Sequence, residues 1–206
     1  TSETAVATAS ETATAAATPT TEVVTNASTS ASNDTVTVLH TNDVHGRMVE
    51  DNRNGVIGDA LLSGIVNDSR SKGTTIVLDA GDSFQGLPIS NSSKGEDMAN
   101  VMNAVGFDAM TVGNHEFDFG LDQLRRLSKQ INFPIITSNV YVDGVRLFQP
   151  STIVDKTPGV DGDEVVVIGV TTPETATKTH PRNITGVSFT DPITEVKAVV
   201  DQVESN

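Results

Sequence analysis

Three short clusters hold the side chains that bind metals and move protons. Asp43 and His45 stand two apart in TNDVHG (41–46), and Asp82 follows Gly81 in DAGDSFQG (79–86). Asn114, His115, Glu116 and Asp118 crowd into VGNHEFDFG (112–120), in a chain with 4 histidines. Residues two apart in an extended segment face the same way. Asp43 and His45 can therefore serve one ion, and a carboxylate with an imidazole suits Zn²⁺, Mn²⁺ or Fe more than Ca²⁺. The two oxygens of Asp82 can bridge two cations, and the side-chain oxygen of Asn114 is a further ligand. Asp118 comes within reach of His115 if the chain turns helically there. It would then fix one tautomer of the ring and raise its basicity. A histidine held so can stabilise phosphoryl charge or protonate a leaving alkoxide. Each cluster alone has a plainer reading. Asp43 and Asp82 can cap turns, and Glu116 can complement a helix N-terminus. Asp79, near the end of an apolar run, is read as orienting its neighbours.

The elements around the clusters give them a common address. Apolar runs at 35–41, 74–80, 108–113, 133–140 and 164–172 read as strands. Helical spacing appears at 56–73 (Ile57, Leu61, Ile65, Val66), 96–107 (Met98, Val101, Met102, Val105), 121–131 (Leu121, Leu124, Leu127) and 192–205. Strands alternating with helices predict an α/β fold of βαβ units with a largely parallel sheet. In such sheets ligands bind beyond the carboxyl ends of the strands. Asp43 and His45 follow the first strand, Asp82 the second, Asn114 and His115 the third. The convergence of three strand ends on one edge is stronger than any single motif.

Composition narrows the function classes. The chain has 206 residues with 13 Lys+Arg against 27 Asp+Glu, a net charge of −14. That disfavours a nucleic-acid polymer or an anionic membrane as partner. A protein so acidic that handles phosphates needs bound cations. There is no Cys, which removes disulfides, thiolate metal sites and Cys nucleophiles. Aromatic content is only 4%, which predicts an aliphatic core. No apolar run is long enough to span a membrane. Residues 1–33 are dominated by Thr, Ala and Ser and read as a disordered spacer or stalk. Residues 34–206 form the folded part.

The order D-x-H, G-D, G-N-H-E, each after a strand, resembles the calcineurin-like metallophosphoesterases. The fuller forms LHTNDVHG, LDAGDSFQG and VGNHEFDFG resemble that superfamily's secreted bacterial 5′-nucleotidase branch, from about Val36 onward. The resemblance implies an αββα sandwich. It implies two divalent ions (Zn, Mn or similar), with Asp43 and His45 on one, Asp82 bridging, and Asn114 on the other. His115, oriented by Asp118, would stabilise the transferring phosphoryl group and, with Asn114, touch the substrate. A metal-activated water would attack phosphorus in line, between ions about 3.5–4 Å apart. The implied activity is hydrolysis of extracellular nucleotides, AMP to adenosine and phosphate, by a secreted or cell-surface protein, with attachment to a cell wall through parts outside this chain. Sister activities on 2′,3′-cyclic nucleotides or UDP-sugars stay open. So does a non-catalytic adhesin or binding module, although every ligand and His115 are intact. Four ligands are too few for two metals, and His40 and His180 match none of the family's later metal motifs. The chain is therefore expected to be the N-terminal part of the catalytic domain, without the C-terminal nucleotide-binding domain, and inactive alone.

Overall fold

The computed structural model describes residues 20–25, 35–159 and 164–205. One sheet carries the site. β1 (Thr20–Thr25) pairs antiparallel with β2 (Thr35–Thr41). β2 then pairs in parallel with β3 (Thr75–Asp79), and β3 with β4 (Ala109–Met110), in the order β1-β2-β3-β4. Parallel neighbours need long crossovers, usually helical. α1 (Gly58–Lys72) links β2 to β3; α2 (Pro88–Asn91) and α3 (Glu96–Val105) link β3 to β4. α4 (Leu121–Gln130) follows β4. This is the expected mixed α/β architecture, with the parallel strands β2, β3 and β4 delivering their C-terminal loops to one edge.

The helices bury one face each. Leu62 and Val66 of α1, Met98, Ala99, Met102 and Val105 of α3, and Leu124 and Leu127 of α4 pack over Leu39, Val77 and Met110 of the sheet. Leu61, one of the residues at helical spacing in α1, is 51% exposed. Its neighbour Leu62 takes the core position, one helical turn before Val66. The core is also less aliphatic than composition suggested, because Phe84, Phe107, Phe117 and Phe133 all lie in it.

β1 lies within 1–33, the segment read as a spacer. TTEVVT is almost wholly β-branched, which fits a pleated edge, and it covers backbone groups of β2 that would otherwise lack partners. Residues 1–19 and 26–33 of that spacer lie outside the described residues. One expectation is corrected: the βαβ alternation stops after segment 133–140, which bridges β4 in parallel at Met110–Ile135 and bridges Gln149 at Ile136. The chain then forms short antiparallel pieces: β5 (Val140–Val142) with β6 (Val145–Arg146), and β7 (Ser151–Val154) with β8 (Val165–Ile168). No helix forms between β5 and β8 among the described residues, so nothing carries the chain back in parallel. α5 (Thr175–Lys178) and β9 (Val187–Phe189, antiparallel to β5) precede α6 (Pro192–Glu204). Asp191 caps α6, its carboxylate accepting from Thr194 N at 2.8 Å.

Candidate metal centre

β2 and β3 stay joined beyond their last residues. Ala80 N donates to Thr41 O, Asp43 N to Gly81 O, His45 N to Asp82 O and Gly46 N to Ser83 O, at 2.8, 3.0, 2.9 and 3.0 Å. Running the two loops side by side forces Asp43, His45 and Asp82 to φ values of 53°, 51° and 57°. That left-handed region costs a side-chain-bearing residue about 1 kcal/mol or more. Such strain persists only where the surroundings over-determine it, and it gathers at functional sites. Here it falls on three of the residues whose types suggested metal ligands.

The third strand end closes onto these loops. His115 N donates to Asp82 Oδ1 at 2.8 Å. Two glycines permit the approach. A Cβ on Gly81 would lie 2.4 Å from Gly113 N, and a Cβ on Gly113 would lie 2.3 Å from Asp82 Oδ1. The glycines of the G-D and G-N-H motifs are thus there for space.

Two buried carboxylates hold the arrangement from beneath. Glu116 Oε2 accepts from Asp82 N at 2.7 Å and Gly113 N at 2.8 Å. Its Oε1 accepts from Ser83 N at 2.8 Å and Phe84 N at 3.2 Å. Burial pushes this carboxyl above the usual range and the charge of Asp82 adds to that, against the pull of the backbone N–H groups. Sequence reasoning gave Glu116 only a helix-dipole role; its actual work is to staple two loops together. The one available signal was an acid three residues past a glycine beside the histidine. Asp79 accepts from Thr41 Oγ1 at 2.6 Å, Gly81 N at 2.9 Å and Ser83 Oγ at 2.9 Å. Burial, aided by Glu116, raises its carboxyl to about 7 against those donors. Asp79 orients its neighbours, as its sequence position suggested.

The loops so held bring ligand atoms of His45, Asp82 and His115 within 4.8 Å of one another. His45 Nδ1 lies 3.1 Å from Gln85 O. A carbonyl only accepts, so Nδ1 carries the proton and Nε2 keeps its lone pair. That Nε2 lies 3.7 Å from Asp43 Oδ1, which places Asp43 alongside the trio at a more exposed rim. A single 3-10 turn, His115–Phe117, brings His115 Nδ1 to 2.6 Å from Asp118 Oδ2. The rings of His45 and His115 meet edge to face with centroids 4.9 Å apart. Asn114 is half-buried beside them. His45 and Asp82 supply an imidazole and a carboxylate, donors suited to Zn²⁺, Mn²⁺ or Fe, with a ring nitrogen of His115 close beside them. His115, read from sequence as facing phosphate, thus sits among the converging groups. His40 is half-buried on β2, and His180 is exposed, accepting from Arg182 N at the turn Pro181–Ile184. Neither belongs to this cluster, as expected.

The chain has relatives among known proteins. The sequence profile of the calcineurin-like phosphoesterase family matches residues 36–205. Protein UshA of Yersinia enterocolitica is 39% identical over 175 residues, which cover 82% of this chain and 31% of that protein. A 5′-nucleotidase of Vibrio cholerae is 37% identical over 176 residues, 82% of this chain and 31% of its own length. Among solved structures, the 5′-nucleotidase precursor of Thermus thermophilus superposes with a TM-score of 0.69 at 31% identity, covering 82% of this chain and 34% of that one. The chain therefore spans about a third of the length of the relatives it matches.

Proposed function

This chain belongs to the calcineurin-like phosphoesterase family, and from that premise we propose that it carries the catalytic part of a metal-dependent 5′-nucleotidase, which hydrolyses AMP to adenosine and phosphate. The observation that carries the reading is the convergence of His45, Asp82 and His115 within 4.8 Å, with Asp118 bound to the far nitrogen of His115. In this reading Asp43 and His45 would hold one divalent ion, Asn114 would serve a second, and Asp82 would supply an oxygen to each. Bound there, the ions would withdraw charge from phosphoryl oxygens and lower the pKa of a coordinated water. They would also offset a chain charge of −14 that otherwise repels an anionic substrate. As imidazolium, His115 donates from Nε2 to the phosphoryl group or to the leaving alkoxide. The Asp118 carboxylate on Nδ1 supports the cationic ring and fixes its plane. The zipped loops hold both histidines before substrate arrives, so little reorganisation remains for the reaction itself. A secreted or cell-surface location fits this activity, and one structural neighbour is itself described as a precursor. Among the described residues no helix is long and apolar enough to cross a membrane.

The test is phosphate release from AMP by the full-length natural protein beside its His115→Ala variant. Release that needs added Mn²⁺ and falls about 10²-fold or more in the variant supports the reading. Equal release from both proteins removes His115 from the chemistry.

A further inference from the structure

The turn carrying His115 is gripped from a part of the chain that no motif marks. Thr171 Oγ1 donates to Val112 O at 2.8 Å. Thr179 Oγ1 donates to Asn114 O at 2.9 Å. Asn183 Nδ2 donates to Asp118 O at 2.7 Å. Three side chains from 171–183 thus reach three carbonyls of the 112–118 turn, across sequence separations of 59, 65 and 65 residues.

The middle bond has a particular consequence. The carbonyl of Asn114 and the N–H of His115 belong to one planar peptide unit. Its carbonyl is held by Thr179, and its N–H donates to Asp82 Oδ1 at 2.8 Å. A peptide plane fixed at both ends sets the direction in which Asn114 and His115 leave the backbone. Bonding at the carbonyl also polarises the N–H toward Asp82. One turn later, Asn183 fixes the backbone of Asp118, whose carboxylate lies 2.6 Å from His115 Nδ1. Thr179 is buried at 4% exposure and Thr171 at 1%, so water cannot readily substitute for their hydroxyls.

We propose that Thr179 and Asn183 are positioning residues, which set the Asn114–His115 peptide and the His115–Asp118 pair without touching substrate. The inference rests on the phosphoesterase reading above for its effect on rate, while the brace itself is a property of the backbone. It makes segment 171–183 part of the working site despite carrying no ligand.

Thr179→Val keeps the shape and removes the donor; Thr179→Ser keeps the donor. Asn183→Asp likewise keeps shape and removes the donated N–H. In the full-length protein, Thr179→Val and Asn183→Asp should lower kcat for AMP by about 10- to 100-fold with KM nearly unchanged, since small misplacements of reacting groups cost that much. Thr179→Ser should return to within about 3-fold of the natural protein. Hydrogen exchange at the amides of His115 and Asp118 should speed up in the two donor-less variants and not in Thr179→Ser. This second readout stands even if AMP proves to be the wrong substrate. Unchanged exchange and unchanged kcat in Thr179→Val and Asn183→Asp overturn the proposal. A loss of rate explained wholly by the unfolded fraction, with normal exchange in the folded remainder, overturns it as well.

Discussion

Two buried carboxylates in this chain lead opposite lives. Glu116 lies beneath the strand ends with four backbone N–H groups on its two oxygens. Asp59 lies at the start of α1, 6% exposed, and its Oδ2 has no partner. It borders a cavity of about 30 Å³ lined also by Thr41, Arg47 and Leu62; the Arg47 guanidinium is turned to Val44 O at 3.2 Å. One carboxylate is satisfied and organises a site. The other is dehydrated and little compensated, and burial raises its carboxyl to about 7. The difference teaches that burial alone does not identify a working acid. What matters is what the surrounding backbone offers it.

Breaking the satisfied end should do the most damage. Glu116→Gln replaces one acceptor by an NH₂ group facing N–H donors. We expect a loss of about 3 kcal/mol or more in folding stability and of about 10²-fold in AMP hydrolysis by the folded protein, read by denaturant unfolding and phosphate release. Gly113→Ala attacks the same end by volume. Its Cβ would overlap Asp82 Oδ1, so the loops must part. About 1–3 kcal/mol of stability should go, with a proportionally larger fall in activity than in stability.

Relieving the unsatisfied end should do the reverse. The folded carboxyl of Asp59 titrates at about 7, against about 3.9 for an unfolded Asp. Between those values the folded state holds more protons, so this group makes stability fall as pH rises from about 4 to about 7. Above that window the cost is fully present. Asp59→Asn should therefore stabilise the protein at pH 8 by about 1–3 kcal/mol and do little at pH 4. A variant no more stable at pH 8 than its parent would show that the cavity already compensates the charge. The smallest effect belongs to a surface position remote from both acids: Ile193→Ser, at 78% exposure, should change stability by no more than about 0.5 kcal/mol.

The same contrast explains what the sequence could disclose. The placement of Asp43, His45, Asp82, Asn114, His115 and Asp118 at one sheet edge was legible because each stands at a short fixed offset past an apolar strand, and strand ends in a parallel sheet share an edge. The role of Glu116 was not legible, because most of its partners are backbone N–H groups more than thirty residues away. Nor were the left-handed φ values of Asp43, His45 and Asp82, which tertiary pairing imposes on residues that do not prefer them. The brace from Thr179 and Asn183 joins common side chains to carbonyls, and no local pattern marks such bonds. Beyond α4 the antiparallel pieces escaped for another reason. Segment 164–172 reads as a buried strand in either orientation, and only the missing crossover helix decides between them. One signal there is readable in the sequence. Asp143-Gly144 between β5 and β6, with φ of 49° and 81°, is a two-residue hairpin turn.

The proposed function makes the strand-end cluster a metal-dependent phosphoesterase site. Its most direct test is phosphate release from AMP by the full-length natural protein after chelation, followed as Mn²⁺ is restored, beside Asp82→Asn. A metal-dependent site gives no release without metal, recovery on Mn²⁺ addition, and recovery at least about 10²-fold weaker in the variant. Release by the chelated protein, or the same Mn²⁺ response from Asp82→Asn, would contradict it.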